Sequence, residues 1–165
     1  GQAPYVPAEY VWGTTLITDG NTVANDGTPT ETVTNAIPPG SGICNYNNNG
    51  VAGPLRVGFN GTGTTTRLQI GAGYFGACEL SGNVWEYLVS ATNTNGRGFT
   101  GLHGDGSLSP LGTANVTAWP TQTGAGLRGG TWNSNNLRLR TSDRNNASYT
   151  ATTRVNNVGG RGIRD

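Results

Sequence analysis

Residues 76 to 87 read GACELSGNVWEY, and residues 127 to 133 read LRGGTWN. In the first block Gly82 permits a tight turn, Asn83 can bond its own backbone, and Trp85 can bury a large apolar face while its indole N–H seeks one acceptor. Glu86 then lies close to a buried ring. A carboxylate there needs an arginine, a set of backbone amides or a cation, because an unpaired buried charge is costly. In the second block Gly129 and Gly130 let backbones approach closely, Trp132 fills the core, and Arg128 can tie loops through several hydrogen bonds.

Around these blocks the chain is short on charge and rich in turns. Its 165 residues suffice for one domain, 33% are hydrophobic, 12% are charged, and 28 are Gly. All ten basic residues are Arg, nine acids offset them to a net charge of +1, and there is no basic run. That balance predicts no nucleic-acid partner and gives the arginines a structural use as planar hydrogen-bonding forks. No run approaches the roughly 20 apolar residues that cross a bilayer, so no membrane insertion is expected. Gly1 is not an initiator Met, so something upstream of it is expected to have been removed or left out.

Helical periodicity is almost absent, and short strands are expected at Val11 to Ile17, Leu55 to Phe59, Tyr87 to Ser90, Leu127 to Trp132 and Gly160 to Ile163, each bounded by Gly, Asn or Pro. Short helices are expected near Arg67 to Ile70 and Ser142 to Ala147. Cys44 and Cys78 are either a disulfide closing a loop of about 35 residues, worth about 3–5 kcal/mol in the chain-entropy model, or two buried thiols. Sequons at Asn60, Asn115 and Asn146 are glycosylation candidates.

Catalytic constellations are weak. His103 and Asp105 have no serine in a nucleophile-elbow context, Glu79 and Glu86 both lie inside the first block, and GTGTTTR at 61 to 67 lacks the lysine of a phosphate-binding loop.

The two blocks together resemble the core signature of the formylglycine-generating-enzyme, or sulfatase-modifying-factor, family. YVWG at 10 to 13, the stretch Cys44-Asn45-Tyr46, RTSDRNN at 140 to 146 and TTRVNNVGGRGIRD at 152 to 165 extend the resemblance over nearly the whole chain. It implies an α+β, loop-rich domain over 1–165 with a C-type lectin-like fold, short strands and few helices. The usual N-terminal part is missing, since only nine residues precede Tyr10, and either it was cleaved away or omitted or a neighbouring subunit supplies it. The resemblance also implies a structural calcium at GNVWE, with Asn83 and Glu86 giving side-chain oxygens and Val84 its carbonyl, the ligand type a hard cation takes. A Glu86–arginine salt bridge without metal is the alternative.

The family's reaction uses two cysteines shortly after the RGG-aromatic motif, where thiolates bind copper. Here that stretch reads TWNSNNLRLRTSDR at 131 to 144, without cysteine and with Ser134 near the first expected place. A serine does not replace a soft thiolate ligand. Iron-dependent relatives use three histidines, and this chain has only His103. The expectation is a non-enzyme with neither copper nor iron.

Function is then expected at the surface, outside the cell or on it. The scatter of Asn, Ser, Thr and Tyr from 131 to 157 resembles the variable region of retroelement-diversified C-type-lectin-like proteins. In that reading Asn133, Asn135, Asn136, Asn145, Asn146, Tyr149, Asn156 and Asn157 face a protein or glycan ligand, while Trp132, Arg138, Arg144 and Arg154 hold the frame. The alternatives are plain polar loops, or a subunit of an extracellular filament or surface layer whose partners are copies of itself.

Overall fold

The computed structural model describes residues 6–101, 107, 109–111, 124–149 and 155–159. The fold is α+β and loop-rich, and the chain divides into two compact units. One comprises Gly1–Glu86, Arg128–Arg144 and Arg154–Asp165, the other Tyr87–Leu127 and Asn145–Thr153.

In the first unit β1 (Leu16–Asp19) runs parallel to β4 (Ser41–Cys44), with Leu16 opposite Ser41 and Asp19 opposite Cys44. Every residue of β4 is buried. Successive side chains of a strand point to opposite faces, so β4 serves two cores. Ile43 joins Val33, Leu55 and Phe59, whereas Cys44 joins Tyr10, Trp12 and Leu139. Gly42 shares the face of Cys44, and a Cβ there would lie 2.5 Å from the Trp12 ring, so the indole occupies the space a side chain would need. Tyr10 and Trp12 stack at 4.9 Å, and the Trp12 Nε1 donates to Thr14 Oγ1 and to the Leu16 carbonyl, both at 3.1 Å. Two short strands, β2 (Val23–Ala24) and β3 (Thr32–Val33), pair antiparallel beside the core that holds Ile43.

A further sheet has the order β6 (Ala125–Arg128), β5 (Trp85–Val89), β7 (Val158–Gly159). Trp85 and Glu86 of β5 pair in parallel with Val158 and Gly159. In the second unit, Leu127 N donates to Asn146 O at 2.8 Å, the Ser90 hydroxyl bonds the Ala147 carbonyl, and Ser90 N reaches Gly124 O at 2.8 Å. There a one-turn helix, α1 (Thr94–Arg97), is capped by Asn93, whose side chain accepts from Asn95 N at 2.8 Å.

Several expected elements differ. Between 11 and 15 the chain turns, with Gly13 at φ +92°, and the strand starts only at Leu16. Residues 55–59 form no strand, because Asn83 takes both backbone groups of Leu55 and the chain turns from Val57 to Asn60. Residues 67–70 and 145–147 are turns rather than helices, with irregular chain at 143–144, whereas a 3-10 helix forms at Asn136–Leu139. The strand expected at 127–132 lies at Ala125–Arg128, and Gly160 to Ile163 falls outside the described residues. Cys44 and Cys78 are both thiols, not a disulfide: the Cys44 side chain is committed to the core beside Trp12, and the Cys78 sulfur lies 3.7 Å from the Gly76 carbonyl. Among the described residues no helix is long and apolar enough to cross a membrane.

Candidate functional site

The two signature blocks are bound to each other through their backbones. Gly82 N donates to Gly129 O at 2.7 Å, and Trp132 N donates to Asn83 O at 2.8 Å. The 45–48 loop closes against both, with Asn83 N on Asn45 O at 2.8 Å, Asn48 N on Trp132 O at 2.9 Å and Asn47 N on Ser134 O at 2.8 Å. Gly82 has φ +82°, and a Cβ there would lie 2.5 Å from the Asn45 carbonyl oxygen, so only glycine fits. Asn47, Asn48 and Asn83 also hold positive φ, which asparagine tolerates better than most residues. Three loops are thereby fixed without a continuous sheet.

On this frame sits the stretch 131–139. Thr131 is wholly buried, and its hydroxyl bonds the Asn133 side-chain oxygen and lies 3.2 Å from Ser134 Oγ. Thr131 N donates to Ser134 Oγ at 3.1 Å. Asn157 Nδ2 donates to Asn133 Oδ1 at 3.3 Å, and Trp85 N holds the Asn157 carbonyl at 2.8 Å. Asn135 caps the 3-10 helix by accepting from Leu137 N at 3.2 Å. Ser134, near the place where the family carries a cysteine, is thus one node of a hydroxyl and amide network.

The expected recognition residues divide between the units. Asn133, Asn135 and Asn156 are exposed and Asn136 and Asn157 half-buried in the first unit; Asn145 is exposed and Asn146 and Tyr149 half-buried in the second. Asn133 and Asn157 are joined, whereas Asn146 is engaged through its carbonyl by Leu127 N and Tyr149 N. Of the frame residues, Trp132 is buried, Arg138 faces Asp143 at 3.5 Å, and Arg144 donates to the Thr141 carbonyl at 3.0 Å. Arg154, His103 and the Asn115 sequon fall outside the described residues. Asn60 is buried and its amide is 3.5 Å from the Gln69 carbonyl, so a glycan on that nitrogen has no room in this fold.

Of the residues implied for calcium, Asn83 already has its side-chain oxygen engaged by N–H donors. Asn83 Oδ1 accepts from Leu55 N at 2.7 Å, with Asn45 Nδ2 at 3.5 Å. An oxygen surrounded by N–H donors is the wrong polarity for a hard cation, which wants several oxygens converging on one point. The Val84 side chain packs toward Gly159, and Glu86 lies on β5 in register with Gly159. Among the described residues no three His, Cys, Asp or Glu side chains cluster as a metal site.

Electrostatics at the centre disfavour a reactive thiol. Burial, reinforced by the carboxylates of Glu79 and Asp19, pushes the Cys44 thiol well above its ordinary pKa. Burial also lifts Tyr46 to about 12 and raises Asp19. A buried thiol whose pKa is raised is a poor nucleophile.

Sequence reasoning missed one feature. A groove of about 790 Å³ opens beside Val11, Leu68 and Leu80, and the Tyr74–Phe75 turn stands at its edge. Tyr74 is 62% and Phe75 94% exposed. The pair YF between Gly73 and Gly76 was the available signal, since two adjacent aromatics in a glycine-bounded turn cannot both enter the core.

Comparison with curated proteins and with solved structures gave no match. The family described as Sulfatase-modifying factor enzyme 1-like domain matches residues 7–165, which spans both signature blocks and the loops that they fix. The chain belongs to that family.

Proposed function

We propose that this chain is a non-catalytic, C-type-lectin-like member of its family, situated outside the cell or on its surface and acting by recognition. The observation that carries the reading is the network of Thr131, Asn133 and Ser134 at the start of the 131–144 stretch, which has no cysteine where the resemblance implies two. Elsewhere Cys44 is buried with its thiol pKa raised, and Cys78 directly follows the 73–77 turn, remote in sequence from the 131–144 stretch. The recognising surface is the one bearing Asn133, Asn135, Asn156 and Asn157; backbone bonds from Asn47, Asn48 and Asn83 fix the 132–134 loop, and Trp85 N holds Asn157. Amide side chains on a rigid frame suit a protein or glycan ligand, because little entropy is lost on binding. A glycan and protein array probed with the immobilised chain tests this: retention that is lost in Asn133→Ala together with Asn157→Ala supports it, and retention untouched by both contradicts it.

A second reading is assembly of copies of this chain into a larger structure. Exposed apolar side chains favour it: Val57 at 61%, Phe75 at 94% and Leu111 at 91%. A net charge of +1 leaves little repulsion between copies.

A further inference from the structure

Asparagine is followed by glycine at 49–50, 60–61 and 95–96. With no Cβ on the second residue, its amide nitrogen can come close to the asparagine carboxamide, which makes this pair the one most prone to deamidation. The fold treats the three pairs differently. Asn60 is buried, and Gly61 N is held by Gly58 O at 2.8 Å. Asn95 lies in α1, whose helical backbone turns each amide nitrogen away from the preceding side chain, and Gly96 is buried against the Ser90 and Gly124 carbonyls. Asn49 and Gly50 are both exposed, and among the described residues no hydrogen bond holds Gly50 N. Gly50 stands at φ +86°, where a Cβ would lie 2.7 Å from the Asn21 carbonyl oxygen, so the fold itself demands glycine after Asn49.

We propose that Asn49 is a site of spontaneous covalent modification, the fold directing deamidation to this one of its three Asn–Gly pairs. Gly50 N forms a bond to Asn49 Cγ, the Cγ–Nδ2 bond breaks, and the side-chain nitrogen leaves as ammonia with the Gly50 proton. Water then opens the cyclic imide and returns a hydrogen to Gly50 N. Attack at the side-chain carbonyl leaves aspartate, and attack at the main-chain carbonyl leaves isoaspartate. Water is the one co-reactant. The product is felt at β1, because Asn49 Nδ2 donates to Asp19 Oδ2 at 3.1 Å. Burial raises the Asp19 pKa, and the Asn49 amide opposes that rise. Either product sets a second carboxylate in place of the donor, and isoaspartate also lengthens the backbone by a methylene. The loop affected is the one that supports the second signature block, since Asn47 N and Asn48 N bond Ser134 O and Trp132 O. Modification at 49 therefore loosens the 132–134 loop from its support.

The test is peptide mapping by mass spectrometry of the whole chain aged in mildly alkaline buffer, folded and in strong denaturant, with electron-transfer fragmentation to tell isoaspartate from aspartate. In the folded chain, conversion at Asn49 should run about tenfold or more faster than at Asn60 or Asn95, which react only through local opening. In denaturant the three rates should converge. Folded-state conversion at Asn60 or Asn95 that matches that at Asn49 overturns the assignment, and so does an Asn49 preference of the same size in denaturant, where no fold remains to direct it. The consequence is read by amide hydrogen exchange in Asn49→Asp, which carries one of the two products. The Asn47 and Asn48 amides should exchange about threefold faster or more than in the wild type. Exchange equal to the wild type's overturns the coupling to the 132–134 loop.

Discussion

Asn83 grips Leu55 by both of its backbone groups: its side-chain oxygen accepts from Leu55 N at 2.7 Å, and its side-chain nitrogen donates to Leu55 O at 2.9 Å. The carboxamide thus does what a neighbouring strand would do, while its own backbone binds Asn45 and Trp132. One residue joins the core of Ile43, Leu55 and Phe59 to both signature blocks.

Replacing Asn83 should therefore be among the most damaging single changes in the chain. Asn83→Ala leaves the buried N–H and C=O of Leu55 unsatisfied, at a cost of about 2–4 kcal/mol. Asn83→Asp keeps the shape but sets an oxygen against the Leu55 carbonyl, and should be no milder. Chemical denaturation of the two variants measures this; a loss below about 1 kcal/mol for both contradicts the clamp.

Glu31 supplies a pH-dependent term. Its carboxylate accepts from Arg56 N at 2.9 Å and from Gly27 N at 3.0 Å, and these amides, Arg56 first, hold its carboxyl below the usual pKa. A depressed folded pKa means that the stabilisation is complete above the unfolded carboxylate pKa and is lost as pH falls through the folded one. Glu31→Gln should lower the thermal midpoint at pH 7 by about 2–4 °C, for about 1 kcal/mol. The gap to wild type should close in acid below the folded pKa. A gap that is constant from pH 7 to strong acid contradicts this assignment.

Calcium should not matter to the fold. Because the Asn83 oxygen faces N–H donors, the melting temperature should be the same with millimolar calcium and with a chelator. A calcium-dependent rise of several degrees would show that the GNVWE loop rearranges to bind the ion.

The residues that fix the centre were legible because their chemistry is local: Gly82 and Asn83 announce a special backbone, and Trp132 announces burial. What the sequence hid are partners far along the chain. Leu55 to Phe59 has the composition of a strand, yet its pairing edge is taken by a side chain 28 residues away. Leu127 to Trp132 reads as one strand, but Gly129 and Gly130 at φ +95° and +75° break it so that Trp132 can reach the Asn83 carbonyl. Cys44 and Cys78 could not be resolved as bridge or thiols from spacing, because the choice depended on which face of β4 the sulfur takes.

Copper affinity tests the central claim most directly. A competition titration of the reduced chain with copper(I) against a colorimetric chelator reads out thiolate ligation without requiring a substrate. With Ser134 in a hydroxyl network and Cys44 buried as a protonated thiol, the chain should leave the copper with the chelator at every ratio. Tight one-to-one transfer of copper to the protein, abolished by Cys78→Ser or Cys44→Ser, would contradict the account of a scaffold without its redox centre.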